Sequence, residues 1–332
     1  MNGRWALWGT AYLALWVALA LAAPWLGLRD PAAQPDGLVL RDLPPFARVE
    51  AVRLADGSLR YAHEVLESAG GGIDLRRGTE WTQLPPAAFA GAPTADRRLR
   101  PLFLLGTDSY GRDLLSRVVY GARVSLAVGF LAALLALTLG GLIGVTAGLA
   151  GGWTDRILMR ATDVVLSIPR IFLLVFLVAI YGRSLAGTVA VLGATTWMAA
   201  ARIVRAEILS LRERDFVGAA RAAGASSVRL AFLHLLPALA APLLVEASLR
   251  VGNTVLLESS LSFLGLGVPP PVASWGNLVA DGRDSLLSAW WISTLPGIAI
   301  ATTVFAVSSA AERLRERISN PAAVDRGNAC RT

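Results

Sequence analysis

Apolar residues in this chain are gathered into long runs rather than into narrow stripes between polar positions. A run of about 20 residues with almost no charge crosses the roughly 30 Å hydrocarbon core of a bilayer as a helix. Six such spans are expected: Trp5–Leu26, then 120–149, 162–181, 185–204, 231–257 and 287–311. One large soluble helical domain would instead show shorter buried helices with polar faces. The first run is too long for the apolar stretch of a secretory leader, and no clean small-x-small site follows it, so it reads as an uncleaved helix. The pattern predicts an all-α polytopic membrane protein with about six transmembrane helices.

Residues 28–117 break the pattern. They hold 12 Arg and 12 Asp/Glu, a net charge of zero. Turn-rich patches occur at Asp30-Pro31, Gly70 to Gly72, Pro85-Pro86 and Gly91 to Pro93. Val49–Leu54 and Leu59–Val65 alternate like strands around Asp56-Gly57, a strong short-range hairpin signal. A small α/β or β-rich extracytoplasmic insertion is expected, far too small to be a solute-binding domain. The division is then an N-terminal helix (1–27), the insertion (28–117), a core of five helices (118–318) with a polar loop at 205–237, and a tail (319–332). Gly140, Gly141, Gly144 and Gly148 fall on related turns of the second helix, where small residues let backbones approach closely.

Charge sets the topology. All 31 basic residues are Arg, and the formal net charge is +7. Loops 150–161 and 205–230 and the stretch after 311 are rich in arginine, whereas the two short loops on the other side carry only Arg183 and Arg283. By the positive-inside rule both termini are expected in the cytoplasm; the long 28–117 segment translocates regardless of its charge. The arginines do not gather on one polar face, which argues against a nucleic-acid partner. A single cysteine, Cys330, excludes an internal disulfide or cysteine metal cluster, and His63 and His234 are too far apart in sequence to suggest a metal site. No metal and no cofactor are expected.

The most informative loop is RAEILSLRERDFVGAARAAGASSVRLAFLHLLP, Arg205 to Pro237. It predicts a short helix from Asp215 to Ala223, stopped by Gly224 in a left-handed cap. Ser226 caps a second helix beginning near Ser227. Ala219, Ala220 and Ala223 then offer a small-residue surface on the cytoplasmic face, suited to docking in a partner's groove. This loop resembles the coupling motif of binding-protein-dependent ABC permeases, E-A-A-x-x-x-G followed by nine residues and I-x-L-P. Ala219, Ala220, Gly224 and Leu236-Pro237 match; Gly218 stands where the motif has Glu, and His234 where it has Ile.

Other segments resemble the dipeptide/oligopeptide/nickel branch of that family: LGTDSYGRDLLSR (Leu105–Arg117), LSFLGLGVPP (Leu261–Pro270), SWGNLVADG (Ser274–Gly282) and the Asp163–Pro169 approach to the third span. The resemblance covers about residues 100–312. It implies a type I ABC importer permease bundle that forms half of a translocation pathway for peptides, nickel or a similar small solute. It also implies two cytoplasmic ATPase subunits, a second permease (expected to be a paralogue) and an extracytoplasmic solute-binding protein, at the bacterial inner membrane. Asp215, Phe216, Gly218, Ala219, Ala220, Ala223, Gly224, His234 and Pro237 would then meet the ATPase.

The fifth span carries Glu246, Arg250, Asn253 and Glu258 in an otherwise apolar helix. Embedded charges mark a pathway or a buried pair. Glu246 and Arg250, four residues apart, are placed to pair on one face, which lines the translocation path or a permease–permease contact, or else holds an ion pair within the bundle. With no Lys, the phosphate-binding G-x-x-x-x-G-K-[ST] loop is impossible, so if transport is ATP-driven its hydrolysis must lie on another chain. An ion-gradient-driven transporter would show internal repeats and midplane ion sites, and a membrane enzyme would show a catalytic set; neither is visible.

Overall fold

The computed structural model describes residues 3–68, 71–89 and 98–319. Gly70, the Gly91–Pro93 turn, Cys330 and the tail from residue 320 lie outside the described residues. The chain forms two compact units, one from Leu19–Val124 and Pro270–Ala299, the other from Ser125–Pro269 with the terminal stretches through Ala18 and from Ile300.

In the first unit the insertion is β-rich. Its strands are β1 (Ala47–Arg48), β2 (Glu50–Arg53), β3 (Leu59–Ala62), β4 (Glu64–Glu67), β5 (Ile73–Arg77), β6 (Glu80–Leu84), β7 (Arg98–Leu99) and β8 (Leu102–Phe103), all paired antiparallel in the orders β1-β8, β3-β2-β7 and β4-β5-β6. The expected hairpin is β2–β3, with Gly57 at φ +83° in its turn. The expected second strand is interrupted at His63, where the chain leaves β3 and starts β4 in another sheet. β2 is buried on both faces. Ala51 joins a core with Leu40, Tyr61 and Phe103, while its neighbour Val52 joins one with Val65, Leu75 and Phe89. Alternation of side chains along a strand permits this two-sided packing.

The helices are α1 (Gly3–Ala22), α2 (Leu114–Ala150), α3 (Gly152–Ser167), α4 (Arg170–Tyr181), α5 (Leu185–Arg212), α6 (Asp215–Ala222), α7 (Ser227–Leu230), α8 (Leu236–Phe263), α9 (Trp275–Asp281) and α10 (Trp291–Ser319). Among the described residues five spans are long and apolar enough to cross a membrane: Trp8–Trp25, Leu114–Ala150, Leu185–Arg212, Ala231–Phe263 and Trp291–Glu316. α3 and α4 together make a sixth only as a pair bent by 89°. The third span expected at 162–181 is therefore broken within its length. Ile168 precedes Pro169, whose ring disfavours helical geometry at the residue before it, and Ile168 takes ψ 124°.

In the second unit the glycines of α2 work as expected, with one exception. A Cβ on Gly140, Gly144 or Gly148 would lie 2.6 Å from atoms of α5, namely Ala200 and the Trp197 carbonyl, the Ala201 carbonyl, and Ile208. Gly141 faces open space. The three glycines repeat every fourth residue, so α2 and α5 meet backbone to backbone along three turns. α1 meets α10 in the same way at Gly9 and Ala306, and the hydroxyls of Tyr12 and Thr302 hydrogen-bond.

Candidate functional site

The loop singled out by sequence is a helix–turn–helix. α6 ends in a Schellman arrangement: the Ala225 N–H bonds the Ala220 carbonyl (3.0 Å) and the Gly224 N–H bonds the Arg221 carbonyl (2.9 Å). Gly224 has φ +82°, which a residue without Cβ adopts freely. The Ser226 hydroxyl accepts the Arg229 N–H at 3.3 Å at the start of α7. A π-helical turn, Ala231–Leu235, then joins α7 to α8. Pro237 lacks an N–H and crowds the carbonyl four residues back, and the wider turn relieves both. His234 lies half-buried in this turn, and Pro237 is exposed.

The turn-helix is seated on the bundle, not suspended from it. Val217 of α6 is fully buried with Leu230, Leu235 and Leu239 and with Val204 and Ile208 of α5; Val145 and Leu149 of α2 pack against the same cluster. Arg212 reaches back to the Gly148 carbonyl (2.7 Å) and caps the end of α2. α6 is thus in direct side-chain contact with α2, α5 and α8 through this cluster.

The expected docking surface needs one correction. Ala219 and Ala223 are exposed, but Ala220 is turned inward against the Val217 cluster. Ala220 lies about 100° around the helix from Ala219, toward the side that carries Val217. The exposed residues are Asp215, Phe216, Gly218, Ala219, Arg221, Ala222 and Ala223, of which Phe216 is the bulky apolar member.

The α8 residues separate by face. Arg250 is buried and donates to Glu246 and to the Thr196 carbonyl of α5 (2.5 Å), while its Nε finds no partner among the described residues. Glu246 is half-buried and Asn253, seven residues on, is exposed on the same side. Glu258 is fully buried and accepts from Ser125 of α2 (3.1 Å) and Ser262 (2.8 Å). The four therefore do not form one face. Thr196, Ser125 and Ser262 escaped the sequence reading, because a hydroxyl or carbonyl in an apolar run carries no pattern of its own.

In the first unit the L-G-T-D-x-x-G-R-D segment builds a buried charge cluster. Asp108 accepts from Arg112 (2.7 Å) and Arg117, and both arginines also reach Asp281 of α9 at 3.0 Å. Trp275 of α9, fully buried, donates to the Val118 carbonyl at 2.9 Å.

A bundle of apolar helices with a glycine-stopped helix–turn–helix rooted in its core defines a membrane permease of the ABC importer class. Residues 140–320, more than half of the chain, match the family described as binding-protein-dependent transport system inner membrane component, and the chain belongs to that family. A Brucella suis protein provisionally named a peptide transport system permease is 45% identical over 216 residues, covering 64% of this chain and 72% of that one. The di/tripeptide transport system permease protein DppC of Pseudomonas aeruginosa is 41% identical over 216 residues (65% and 71%). The dipeptide transport system permease protein DppC of Haemophilus influenzae is 35% identical over 235 residues (71% and 77%). Among solved structures, the MetNI methionine ABC transporter has a chain that aligns with a TM-score of 0.51 at 22% identity, covering 61% of this chain and 96% of that one; this establishes the fold alone. The protein is thus a permease subunit of an ABC importer of the bacterial inner membrane, working with separate ATPase subunits and a substrate-binding protein. The ion-gradient alternative is not favoured.

Proposed function

We propose that this permease imports peptides and that α6 and the turn after it are the element its ATPases push. The observation that carries the reading is the seating of α6: an exposed face of Phe216, Ala219 and Ala223 backed by a buried Val217 rooted in α2, α5 and α8. Nucleotide-driven closure of the ATPases biases the bundle between two states through that contact. Asp215, Gly218, Gly224, His234 and Pro237 shape or flank the docking element. The Glu lacking at Gly218 leaves the contact to rest on shape more than on an ion pair. Named relatives transport di- and tripeptides, which supports peptides as substrate. The second permease is a paralogue, and both termini lie in the cytoplasm, as the arginine bias favours. Residues 28–117 and the α9 region face outward and receive the binding protein. Glu246 and Asn253 line the path or the permease–permease contact, with Arg250 pinning Glu246 to α5 and Glu258 joining α2 to α8.

The test is co-purification of detergent-solubilised chain with its ATPases, comparing wild type with Gly224→Asp and Ala219→Arg. Loss of the ATPase from a folded permease supports the docking site. Retention in both variants removes it. Ala220→Arg is the wrong probe, since that side chain points into the core.

A further inference from the structure

The break at Ile168-Pro169 leaves α3 as a helix of its own, and its exposed side is unusual. Trp153 (75% exposed), Ile157 (63%) and Val164 (59%) project outward, with Ile168 continuing the row just past the helix. At roughly 100° per residue, positions 153, 157, 164 and 168 fall within about 60° of one another. Thr162, about half a turn away, is fully buried against the bundle. Arg156 and Arg160 border or interrupt the apolar row, both exposed, and Arg156 lies 5.4 Å from the Trp153 ring centroid. The helix's two carboxylates are held by α5: Asp155 by Arg205 (2.6 Å) and Asp163 by Arg202. Neither Arg156 nor Arg160 has an ion-pair partner among the described residues, so the outward charge of α3 is positive.

Length gives an independent argument. The 12 residues of α4 rise about 18 Å, short of the roughly 30 Å hydrocarbon core. A helix lying in the interface, about 5–10 Å into the headgroup boundary, brings the start of α4 that much nearer the far side. An 89° bend is what joins an in-plane helix to a crossing one.

We infer that α3 is an interfacial helix of the cytoplasmic leaflet. Trp153, Ile157, Val164 and Ile168 enter the acyl boundary, and Arg156 and Arg160 bind anionic lipid headgroups. Tryptophan at the headgroup level and arginines beside an apolar row are the composition such helices use. The inference rests on the topology proposed above, which puts this end of α2 in the cytoplasm.

The experiment uses the full chain with Cys330→Ser, carrying Ile157→Cys or, separately, Val164→Cys, spin-labelled and reconstituted in phosphatidylcholine vesicles with or without phosphatidylglycerol. The labels are expected to be more accessible to oxygen than to a water-soluble nickel complex, at a depth of about 5–10 Å. Arg156→Gln with Arg160→Gln is expected to shift them toward water in the anionic vesicles and to leave them unmoved in pure phosphatidylcholine. Labels open to nickel, shielded from both reagents by a protein neighbour, or sitting at midspan overturn the inference, as does indifference to anionic lipid and to the arginines. Sidedness is read separately from the reaction of Ala219→Cys with an impermeant thiol reagent in oriented vesicles. An error in topology is thereby told apart from an error about α3.

Discussion

At Gly144 an added Cβ would sit 2.6 Å from the Ala201 carbonyl oxygen, a backbone atom that cannot swing away. At Gly141, three residues earlier, it would meet nothing. Gly144→Ala is therefore expected to destabilise the permease by about 1–3 kcal/mol through overpacking. Gly141→Ala should be neutral or stabilising by up to about 1 kcal/mol. Thermal unfolding of the two variants in detergent checks the contrast. Asp56 supplies a pH dependence in the insertion. The Ser58 hydroxyl (2.7 Å) and backbone N–H (2.8 Å) hold its carboxyl below the ordinary carboxylate value. A depressed folded pKa gives stability that is present above the unfolded value and lost as pH falls through the folded one. Amide-exchange protection of β2 and β3 should fall in that acidic window in wild type, and the fall should flatten in Asp56→Ala. Sequence alone could name these glycines as packing residues. It left unsaid which face of α2 meets α5, and so whether Gly141, about 100° around the helix from Gly140, would touch a neighbour.

Helices and their joints carry the next set of effects. α8 is tied to α5 by Arg250, which bridges Glu246 and the Thr196 carbonyl. Arg250→Met leaves Glu246 as an uncompensated charge and is expected to cost about 3–5 kcal/mol. Adding Glu246→Met should recover much of that, and unfolding midpoints of the single and double variants report it. If transport also survives in the double variant, Glu246 has no part in the pathway. The coupling helix–turn–helix was legible because each signal is local: the glycine that takes φ +82° and the serine that caps are read from their neighbours alone. The inward turn of Ala220 was not, since it depends on Val217 finding its pocket among three other helices. The third span misled for a related reason. The apolar window from 162 to 181 averages over Pro169 and hides the amphipathic row that begins at Trp153.

Over the whole chain, the two units draw together residues that sequence spacing cannot relate. Arg117 and Asp281 are 164 positions apart, yet Asp108, Arg112, Arg117 and Asp281 form one cluster in which Asp108 and Arg117 are almost fully buried. Asp108→Asn leaves two buried guanidinium groups with one full carboxylate between them, and it should cost about 3–5 kcal/mol. Reduced yield of folded permease and lost exchange protection of Thr107–Arg117 are the expected readouts, with Arg41→Gln, on an exposed side chain, as the silent comparison. The motif was visible in the sequence as a string of charges, but nothing in the string announced that its partner lies on α9. The β-rich insertion was half legible. The Asp56-Gly57 turn declared one hairpin and the Gly70–Gly72 patch marked a further turn, but nothing in the sequence announced that β4, β5 and β6 form a sheet of their own.

The partners of α8 have a consequence for how the chain is made. Arg250 and Glu258 each carry a charge into an apolar helix, at about 2.5–3.5 kcal/mol per residue for release from the insertion machinery near midspan. The groups that receive them, Thr196 and Ser125, lie earlier in the chain and leave the ribosome first. By the time α8 reaches the lateral exit, α2 and α5 already hold a donor for Glu258 and an acceptor for Arg250. Nascent chains arrested just after α8 should insert it fully, whereas the same helix appended to an unrelated leader should slip back toward water.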